Sequence, residues 1–241
     1  MKARFEMDHT VGPSDCDRRA RMSIPAAFDC FMDIASIHAE KLGIGAQFMM
    51  ETGMFWLTAK TRIRFLKRPG MLEDIKIATW PLRPRGVQTI RDYTMTSGDG
   101  EVLCEGKTQW AVLNTKTGGL VKIDDVFPSD LDLCEEKVLD EPFQRINEDI
   151  ADCEKYASYT VRSVDIDLGG HMNNVAYVRA LFGTFTSGEL EELDIEDCEV
   201  TYKHSLYEGD TMTFYRRTGA EGLEIIAKNI KGETVILARL K

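Results

Sequence analysis

The sequence lacks the features that define several common functional classes. Its 241 residues contain no apolar run near the roughly 20 residues that a membrane-spanning helix needs. The four histidines and six cysteines are scattered, without a C-x-x-C, H-x-H or H-E-x-x-H motif, so we expect no metal site. No P-loop or G-x-G-x-x-G motif is present either. These absences favour a protein that works without a metal or a bound cofactor.

The cysteines and the first residues bear on cellular location. Scattered cysteines without a pairing pattern are typical of reduced thiols, so we expect a cytoplasmic protein. The opening sequence MKARFEMDHTVG has no apolar stretch behind its positive charges, and we therefore expect no signal peptide.

Basic residues are too few overall to suit a nucleic-acid-binding protein, because the formal net charge is -10. One segment differs: residues 60–91 carry nine Lys and Arg against two acidic residues, a net +7. Either this segment is a solvated face of a sheet, or it docks an acidic partner or a phosphate. The candidate docking residues are Arg62, Arg64, Lys67 and Arg68.

The first half of the chain predicts one strand, one long helix and then about four antiparallel strands. Residues 4–11 form the first strand, and apolar residues at i, i+4 and i+7 spacing predict a helix from Ile24 to Leu42. His38 lies beside core positions of that helix, so we expect a buried structural histidine rather than a catalyst. Residues 57–65 alternate, which predicts a half-buried strand with Leu57, Ala59, Thr61, Ile63 and Phe65 on one face. Further strands are predicted over residues 74–80, 88–96 and 101–114.

The second half repeats this plan. Residues 122–157 are acidic, contain two prolines and lack sustained alternation, so we interpret them as a connection. A strand over 156–165 and a helix over 174–187 follow. Four more strands are predicted near 197–206, 210–218, 222–230 and 233–240. The predicted domains are therefore residues 1–121 and 158–241, joined by a linker over 122–157.

A short pattern supports a duplication. Residues 15–23 align without a gap with residues 165–173, since both read D-x-D, three residues, Arg or His, Met, and a helix-capping Ser or Asn. A spacing of about 150 residues suits a duplicated domain better than a solenoid repeat. One helix on a curved antiparallel sheet, repeated twice, predicts an α+β double hotdog fold.

The second copy carries the candidate chemistry. Asp167, His171 and the start of a helix converge on one loop, whereas the first copy has Arg21, which cannot give up its proton near neutrality. Asp167 can act as general base on water, and His171 can share the proton or polarise a carbonyl. Unpaired N–H groups near Asn173–Val175 can stabilise an oxyanion. The alternative is a capping aspartate and a buried histidine without catalysis.

The neighbouring polar residues have open or structural roles. Asn173 or Asn174 can cap the helix, and the Asn174 side chain either caps it or binds a thioester. For Asp165 we expect a structural role, through Arg162 or the loop amides.

The chain resembles the acyl-acyl carrier protein (acyl-ACP) thioesterases of bacteria and plants over nearly its whole length. The similarity is carried by Asp15–Ser23, His38–Gly43, Trp56, Ala78–Trp80 with Arg91–Tyr93, Trp110, and above all DIDLGGHMNNVAY at residues 165–177. The resemblance implies a double hotdog fold and hydrolysis of the thioester between a fatty acyl chain and acyl carrier protein. By position, the family's catalytic aspartate and histidine fall on Asp167 and His171.

Three positions depart from the family pattern. Gly169 stands where plant members have an asparagine, and Ser205 stands where a glutamate is frequent. Leu206 replaces a cysteine on which a papain-like mechanism was based, so that mechanism cannot apply here.

The resemblance also implies a substrate and a partner. The acyl chain would lie between helix and sheet in the first half, lined by Phe28, Phe31, Met32 and Trp56, although any core needs such residues. The partner would be acyl carrier protein with its phosphopantetheine-linked chain. An acyl-CoA thioesterase and a non-catalytic acyl-binding or carrier-binding protein are the alternatives. Chain length, saturation and the formation of a homodimer are left open.

Overall fold

The computed structural model of the protein describes residues 2–241. The chain forms two compact units, one ending at Glu141 and the other running from Pro142 to Lys241. The segment interpreted as a linker, residues 122–157, contributes to both units. In the part of the chain that the structure describes, no helix is long and apolar enough to cross a membrane.

The first unit is one antiparallel sheet with a long helix on it. Its elements are β1 (Phe5–Thr10), α1 (Ile24–Lys41), α2 (Ala46–Thr52), β2 (Met54–Phe65), β3 (Asp74–Pro81), β4 (Gln88–Ser97), β5 (Val102–Asn114) and β6 (Leu120–Val121). The strands pair in the order β1-β3-β4-β5-β2, and β6 also pairs with β5.

Helix α1 starts where the sequence predicts it. The Ser23 hydroxyl accepts a hydrogen bond from the Ala26 N–H (3.3 Å), and proline follows in the first turn. Phe31 of α1 lies flat on the sheet and stacks on Tyr93, with ring centroids 4.7 Å apart. A Cβ at Gly106 would lie 2.4 Å from the Phe31 ring. Glycine at this position therefore allows the helix to approach the sheet.

The predicted alternation of β2 is wrong in one respect. The pairing with β5 shifts between Thr58 and Lys60, so Ala59 is an extra residue in a β-bulge. Thr61 lies opposite Thr108, whereas Leu57 lies opposite Ala111, which is on the other face of β5. The bulge therefore reverses the alternation, and Leu57 does not share the face of Thr61 and Ile63.

The second unit repeats the arrangement with shorter helices. Its elements are β7 (Glu154–Thr160), α3 (Asn174–Phe182), α4 (Ser187–Leu193), β8 (Asp197–Tyr202), β9 (Thr211–Gly219), β10 (Gly222–Asn229) and β11 (Thr234–Leu240). The strands pair antiparallel in the order β8-β11-β10-β9-β7.

Two boundaries in this unit differ from the sequence prediction. The helix predicted to reach residue 187 ends at Phe182, and α4 starts separately after Thr186. Thr186 and Glu189 form a capping box, which satisfies the first N–H groups of a new helix. The strand predicted to reach residue 165 ends at Thr160, since Ser163–Asp165 form a 3₁₀ turn. Neither α2 nor α4 is predicted from the apolar spacing.

Each sheet is covered on the face away from its helix by irregular chain. In the first unit, Asp92 accepts a hydrogen bond from the Val138 N–H (3.1 Å), and Lys107 donates to the carbonyls of Leu139 (3.0 Å) and Glu141. In the second unit, the Glu199 carboxylate accepts from the Gln144 N–H (2.7 Å). Charged side chains are therefore buried under these segments rather than exposed.

Two buried groups of the first unit give opposite pH dependence. Burial, followed by Arg91 and Lys41, lowers the pKa of His38 from 6.5 to about 4. The neutral imidazole is thus favoured on folding, and its contribution to stability is lost as pH falls from 6.5 to 4. Burial raises the pKa of Asp92 from 3.8 to about 7, so folding favours the neutral carboxyl. This contribution is lost as pH rises from 3.8 to 7.

We expect single substitutions to separate these two effects. The free energy of unfolding of Asp92→Asn, minus that of the parent, should rise by about 4 kcal/mol between pH 4 and 7. The free energy of unfolding of His38→Gln, minus that of the parent, should fall by about 3 kcal/mol between pH 4 and 6.5. Urea denaturation at a series of pH values measures both differences. Differences that do not vary with pH would contradict the assignments.

Candidate active site

The candidate catalytic loop joins β7 to α3 and is held by Asp165. This carboxylate is 9% exposed and accepts hydrogen bonds from the Arg162 N–H (2.7 Å) and the Tyr159 hydroxyl (2.8 Å). Its backbone carbonyl accepts from the Asn173 N–H at 2.8 Å. Asp165 thus holds both ends of the loop, which confirms the structural role expected for it.

Asp167 forms the turn on which His171 lies. Its Oδ1 accepts from the Gly169 N–H (2.7 Å) and at 3.5 Å from the His171 N–H, and its own N–H donates to the His171 carbonyl (2.9 Å). The residue is half-buried. Its Oδ2 has no hydrogen-bond partner within residues 2–241, so one oxygen of a fixed carboxylate can accept a proton.

The His171 imidazole lies against an aromatic ring that sequence reasoning missed. Its ring centroid is 5.0 Å from that of Tyr207, at an interplanar angle of 50°. The Tyr207 N–H donates to the Asp210 carboxylate at 2.9 Å, which holds the β8–β9 loop in place. No motif identifies this tyrosine; an aromatic residue in the polar stretch KHSLYEGD is the sole signal.

The start of α3 provides fewer free N–H groups than the sequence suggests. Asn173 is the helix cap, and its side chain accepts from the Val175 N–H at 2.8 Å. The N–H groups of Asn173 and Val175 are therefore both bound within the chain, and the prediction that they are unpaired is wrong for these two. The Asn174 N–H has no hydrogen-bond partner within residues 2–241. Asn174 is the first helical residue, not the cap. Its half-buried side chain forms no hydrogen bond inside the described chain.

Tyr177 connects α3 to the loop that carries Tyr207. Its hydroxyl accepts from the Leu206 N–H (2.8 Å) and donates to the His204 carbonyl (3.4 Å). Burial raises the pKa of Tyr177 to about 12, with the carboxylates of Asp167 and Asp210 adding to the rise. The hydroxyl therefore keeps its proton at neutral pH and acts as a structural link.

The matching loop of the first unit has the same backbone hydrogen bonds around its aspartate, but that aspartate lies beside arginine side chains. Asp17 Oδ1 accepts from the Arg19 N–H (2.8 Å), as Asp167 accepts from Gly169. Asp17 Oδ2, however, lies 2.9 Å from the Arg21 guanidinium and 3.8 Å from that of Arg68. The carboxylate of the first copy is thus neutralised by permanent charges, whereas the second copy has His171 in place of Arg21.

The residues predicted to contact the acyl chain lie in the first unit. Phe28 and Phe31 are 1% and 0% exposed, in the layer between α1 and the sheet. Met32 and Trp56 are half-buried. The Trp56 indole donates to the Ile44 carbonyl at 2.8 Å.

The four predicted docking residues differ in accessibility. Arg62 is 5% exposed and lies 3.8 Å from Glu141, which also pairs with Arg64 at 3.1 Å. Arg68 donates to the Met22 carbonyl at 3.2 Å. Lys67 is exposed and pairs with Glu101 at 2.9 Å. They therefore do not form one continuous exposed cluster.

The described residues contain no group of three or more His, Cys, Asp or Glu side chains placed to hold a metal ion.

Two tandem units of helix on antiparallel sheet, with an aspartate and a histidine in one loop of the second, define a double hotdog protein. The chain belongs to the acyl-ACP thioesterase family. The pattern of its N-terminal domain matches residues 2–130, and that of its C-terminal domain matches residues 148–236.

Individual relatives agree with this membership. The chain is 22% identical to an oleoyl-acyl carrier protein thioesterase of Coriandrum sativum, over 75% of this chain and 53% of that protein. It is 24% identical to a palmitoyl-acyl carrier protein thioesterase of Cuphea hookeriana, over 65% of this chain and 39% of that protein. Both relatives are chloroplastic. The chain spans about half or less of the length of these relatives.

Solved structures share the fold. An acyl-ACP thioesterase from Bacteroides thetaiotaomicron superposes with a TM-score of 0.86 at 21% identity, covering 99% of this chain and 97% of the other. The 12:0-ACP thioesterase from Umbellularia californica gives a TM-score of 0.80 at 18% identity, covering 99% and 96%. The predicted double hotdog fold is thereby confirmed.

Proposed function

We propose that the protein hydrolyses the thioester of fatty acyl-acyl carrier protein and releases the free fatty acid, within fatty acid biosynthesis. The observation that carries this proposal is the Asp167 carboxylate, fixed through one oxygen and unbound at the other, on the same turn as His171. Membership of the acyl-ACP thioesterase family supports the reaction and the substrate class.

Thioester hydrolysis depends more on a general base than on a general acid. A thiol has a pKa of about 8.5, so it leaves readily from a tetrahedral intermediate. Asp167 takes a proton from water while the water oxygen attacks the thioester carbonyl carbon. The carbon–sulfur bond then breaks, and the thiolate takes up the proton that Asp167 accepted, which restores the carboxylate. His171 orients the water or shares its proton.

The oxyanion needs a donor other than the helix-start amides of Asn173 and Val175, which are already bound. The Asn174 N–H, the Asn174 side chain and the His171 imidazole are the candidates that the loop offers. Removing one oxyanion donor typically costs about 10²–10³ in rate.

The remaining roles belong to the first unit. Phe28, Phe31, Met32 and Trp56 contact the acyl chain in this proposal, between α1 and the sheet. The phosphopantetheine-linked carrier protein docks through basic residues, among which Arg64 and Lys67 are the more accessible. We place the protein in the cytoplasm because its six cysteines are free. Whether two chains form a homodimer has no bearing on this chemistry.

The proposal is tested by presenting one acyl group on carrier protein and on CoA and following thiol release. We expect a higher kcat/KM with carrier protein, and a loss of that preference in Arg64→Gln/Lys67→Gln. The exposed Lys231, in a turn of the second unit, provides a matched control as Lys231→Gln. Equal rates on both carriers, unchanged by the double substitution, would identify an acyl-CoA thioesterase. Binding without any turnover would indicate a non-catalytic acyl-binding protein.

A further inference from the structure

The layer between α1 and the sheet of the first unit contains polar groups that a hydrocarbon chain cannot satisfy. Directly paired residues in a sheet share a face. Gly106 faces Phe31 of α1 and pairs with Tyr93, so Tyr93 is on the helix side. By the same register, the helix-facing side includes Thr58, Thr61, Arg91, Thr108 and Trp110.

Part of this polar set is internally satisfied. The hydroxyls of Thr61 and Thr108 are hydrogen-bonded at 3.1 Å. The Arg91 guanidinium lies 3.0 Å from His38 Nδ1 and donates to the Thr79 hydroxyl at 3.3 Å. Because His38 is neutral at pH 7, its Nδ1 accepts this hydrogen bond.

Three polar atoms of the layer are buried without a hydrogen bond of normal length and angle, although the Tyr93 hydroxyl lies near the side chains of Thr108 and Trp110. They are Thr58 Oγ1, Tyr93 Oη and Trp110 Nε1, and Tyr93 is 0% exposed. Thr58 and Trp110 are direct cross-strand neighbours. Leaving a buried donor or acceptor unpaired costs about 1–3 kcal/mol. A bound ligand that forms hydrogen bonds with these three atoms would therefore be stabilised.

The positive charge and the donor groups of the layer favour a ligand oxygen that accepts hydrogen bonds. Arg91 is 6% exposed and forms no ion pair with a carboxylate in the described chain, so its partners are neutral. The Trp110 indole N–H can only donate, whereas the Thr58 and Tyr93 hydroxyls can donate or accept. An oxygen with lone pairs suits this group better than a methylene.

This part of the layer includes two half-buried residues. Trp56 and Trp110 are half-buried and make an edge-to-face contact with centroids 6.3 Å apart. Thr58 lies two residues along β2 from Trp56 and opposite Trp110. Thr58 and Trp110 therefore adjoin the half-buried Trp56, which is a proposed acyl-binding residue.

We propose that this layer recognises an acyl chain that carries an oxygen substituent, a hydroxyl or a keto group, and that Thr58, Tyr93 and Trp110 bind that oxygen. The inference rests on the proposed thioester hydrolysis for its substrate and specifies the class of acyl group. A fully saturated chain would give none of the three atoms a hydrogen bond of normal geometry.

The test compares carrier-linked acyl groups of one length: saturated, hydroxylated and keto, with the oxygen moved along the chain. We expect kcat/KM for the best oxygenated chain to exceed that of the saturated chain about tenfold, the effect of one hydrogen bond of roughly 1.4 kcal/mol. In Tyr93→Phe and Trp110→Phe this ratio should fall towards one.

Thr94→Val is the matched control. Thr94 Oγ1 is also buried and unpartnered, and the residue is 8% exposed, but it lies on the opposite face of β4 from Tyr93. The ratio should keep its parental value in this variant. A parental ratio of one or below at every position of the oxygen, as expected if only water occupies the site, would overturn the inference and leave thioester hydrolysis standing.

Binding of the corresponding free acids, measured by calorimetry, separates this inference from the proposed function. Tighter binding of the oxygenated acid, lost in Tyr93→Phe, together with no turnover of any thioester, would support the subsite and overturn the hydrolase. Equal binding of oxygenated and saturated acids would overturn the subsite.

Discussion

Replacing Asp167 by alanine is expected to lower the rate of thiol release from an acyl-carrier substrate by at least about 10²-fold. The structure gives the reason: Asp167 Oδ2 has no hydrogen-bond partner within residues 2–241, and the geometry of this carboxylate is fixed by the Gly169 N–H at 2.7 Å from its Oδ1. His171→Ala should cause a loss of similar size. Single-turnover measurement of thiol release follows the chemical step directly.

The first copy of the loop provides a control for this experiment. Asp17 occupies the matching position and accepts the matching N–H, but it is paired with Arg21 and lies near Arg68. Asp17→Ala removes the same turn without removing the proposed base, so turnover should persist in the folded variant. Full activity in Asp167→Ala would rule out the general-base assignment. Equal losses in both variants would indicate that the turn, rather than the base, is needed.

Replacing Glu224 by alanine is expected to lower the free energy of unfolding by about 3–5 kcal/mol, the usual cost of breaking a buried ion pair. Glu224 is 8% exposed and lies between two guanidiniums, 2.8 Å from Arg217 and 2.8 Å from Arg239. Its removal leaves two largely buried cations without their common partner. Urea denaturation monitored by circular dichroism measures the loss.

Glu221 is a suitable comparison because it is in the same unit and is 52% exposed. It pairs with Lys241 at 2.7 Å and lies 3.9 Å from Arg239. Exposed pairs contribute about 0–1 kcal/mol, so Glu221→Ala should have little effect. A loss in Glu224→Ala no greater than in Glu221→Ala would show that the buried pairs do not stabilise the unit.

The architecture could be predicted because its signals are periodic and occur twice. Apolar spacing defines α1, alternation defines most strands, and the D-x-D pattern places both loops at matching positions. The loop geometry confirms that alignment: the Asp17 and Asp167 N–H groups donate to the carbonyls of Arg21 and His171 at 2.8 and 2.9 Å. Local patterns of this kind can be recognised in the sequence because each depends only on residues that are close together in the chain.

The errors come from features that depend on single residues or on distant partners. One extra residue, Ala59, reverses the faces of β2, and alternation alone cannot show where a bulge lies. The helix break after Phe182 follows from the Thr186–Glu189 capping box, which the apolar periodicity hides. Tyr207 reaches His171 from a loop 36 positions later in the sequence, so no local motif joins them. The prediction of free helix-start amides is wrong for Asn173, whose N–H donates to the Asp165 carbonyl, and for Val175, whose N–H donates to the Asn173 side chain.

The neutralised carboxylate of the first copy has a consequence for how this protein can diversify. With Asp17 held by arginine, the chain has a single candidate base rather than the two that a pair of identical units would have. In the proposed function, substitutions among the acyl-contacting residues of the first unit would alter which acyl chain is accepted and leave Asp167 and His171 unchanged. Selectivity and turnover would then evolve separately, each in its own unit.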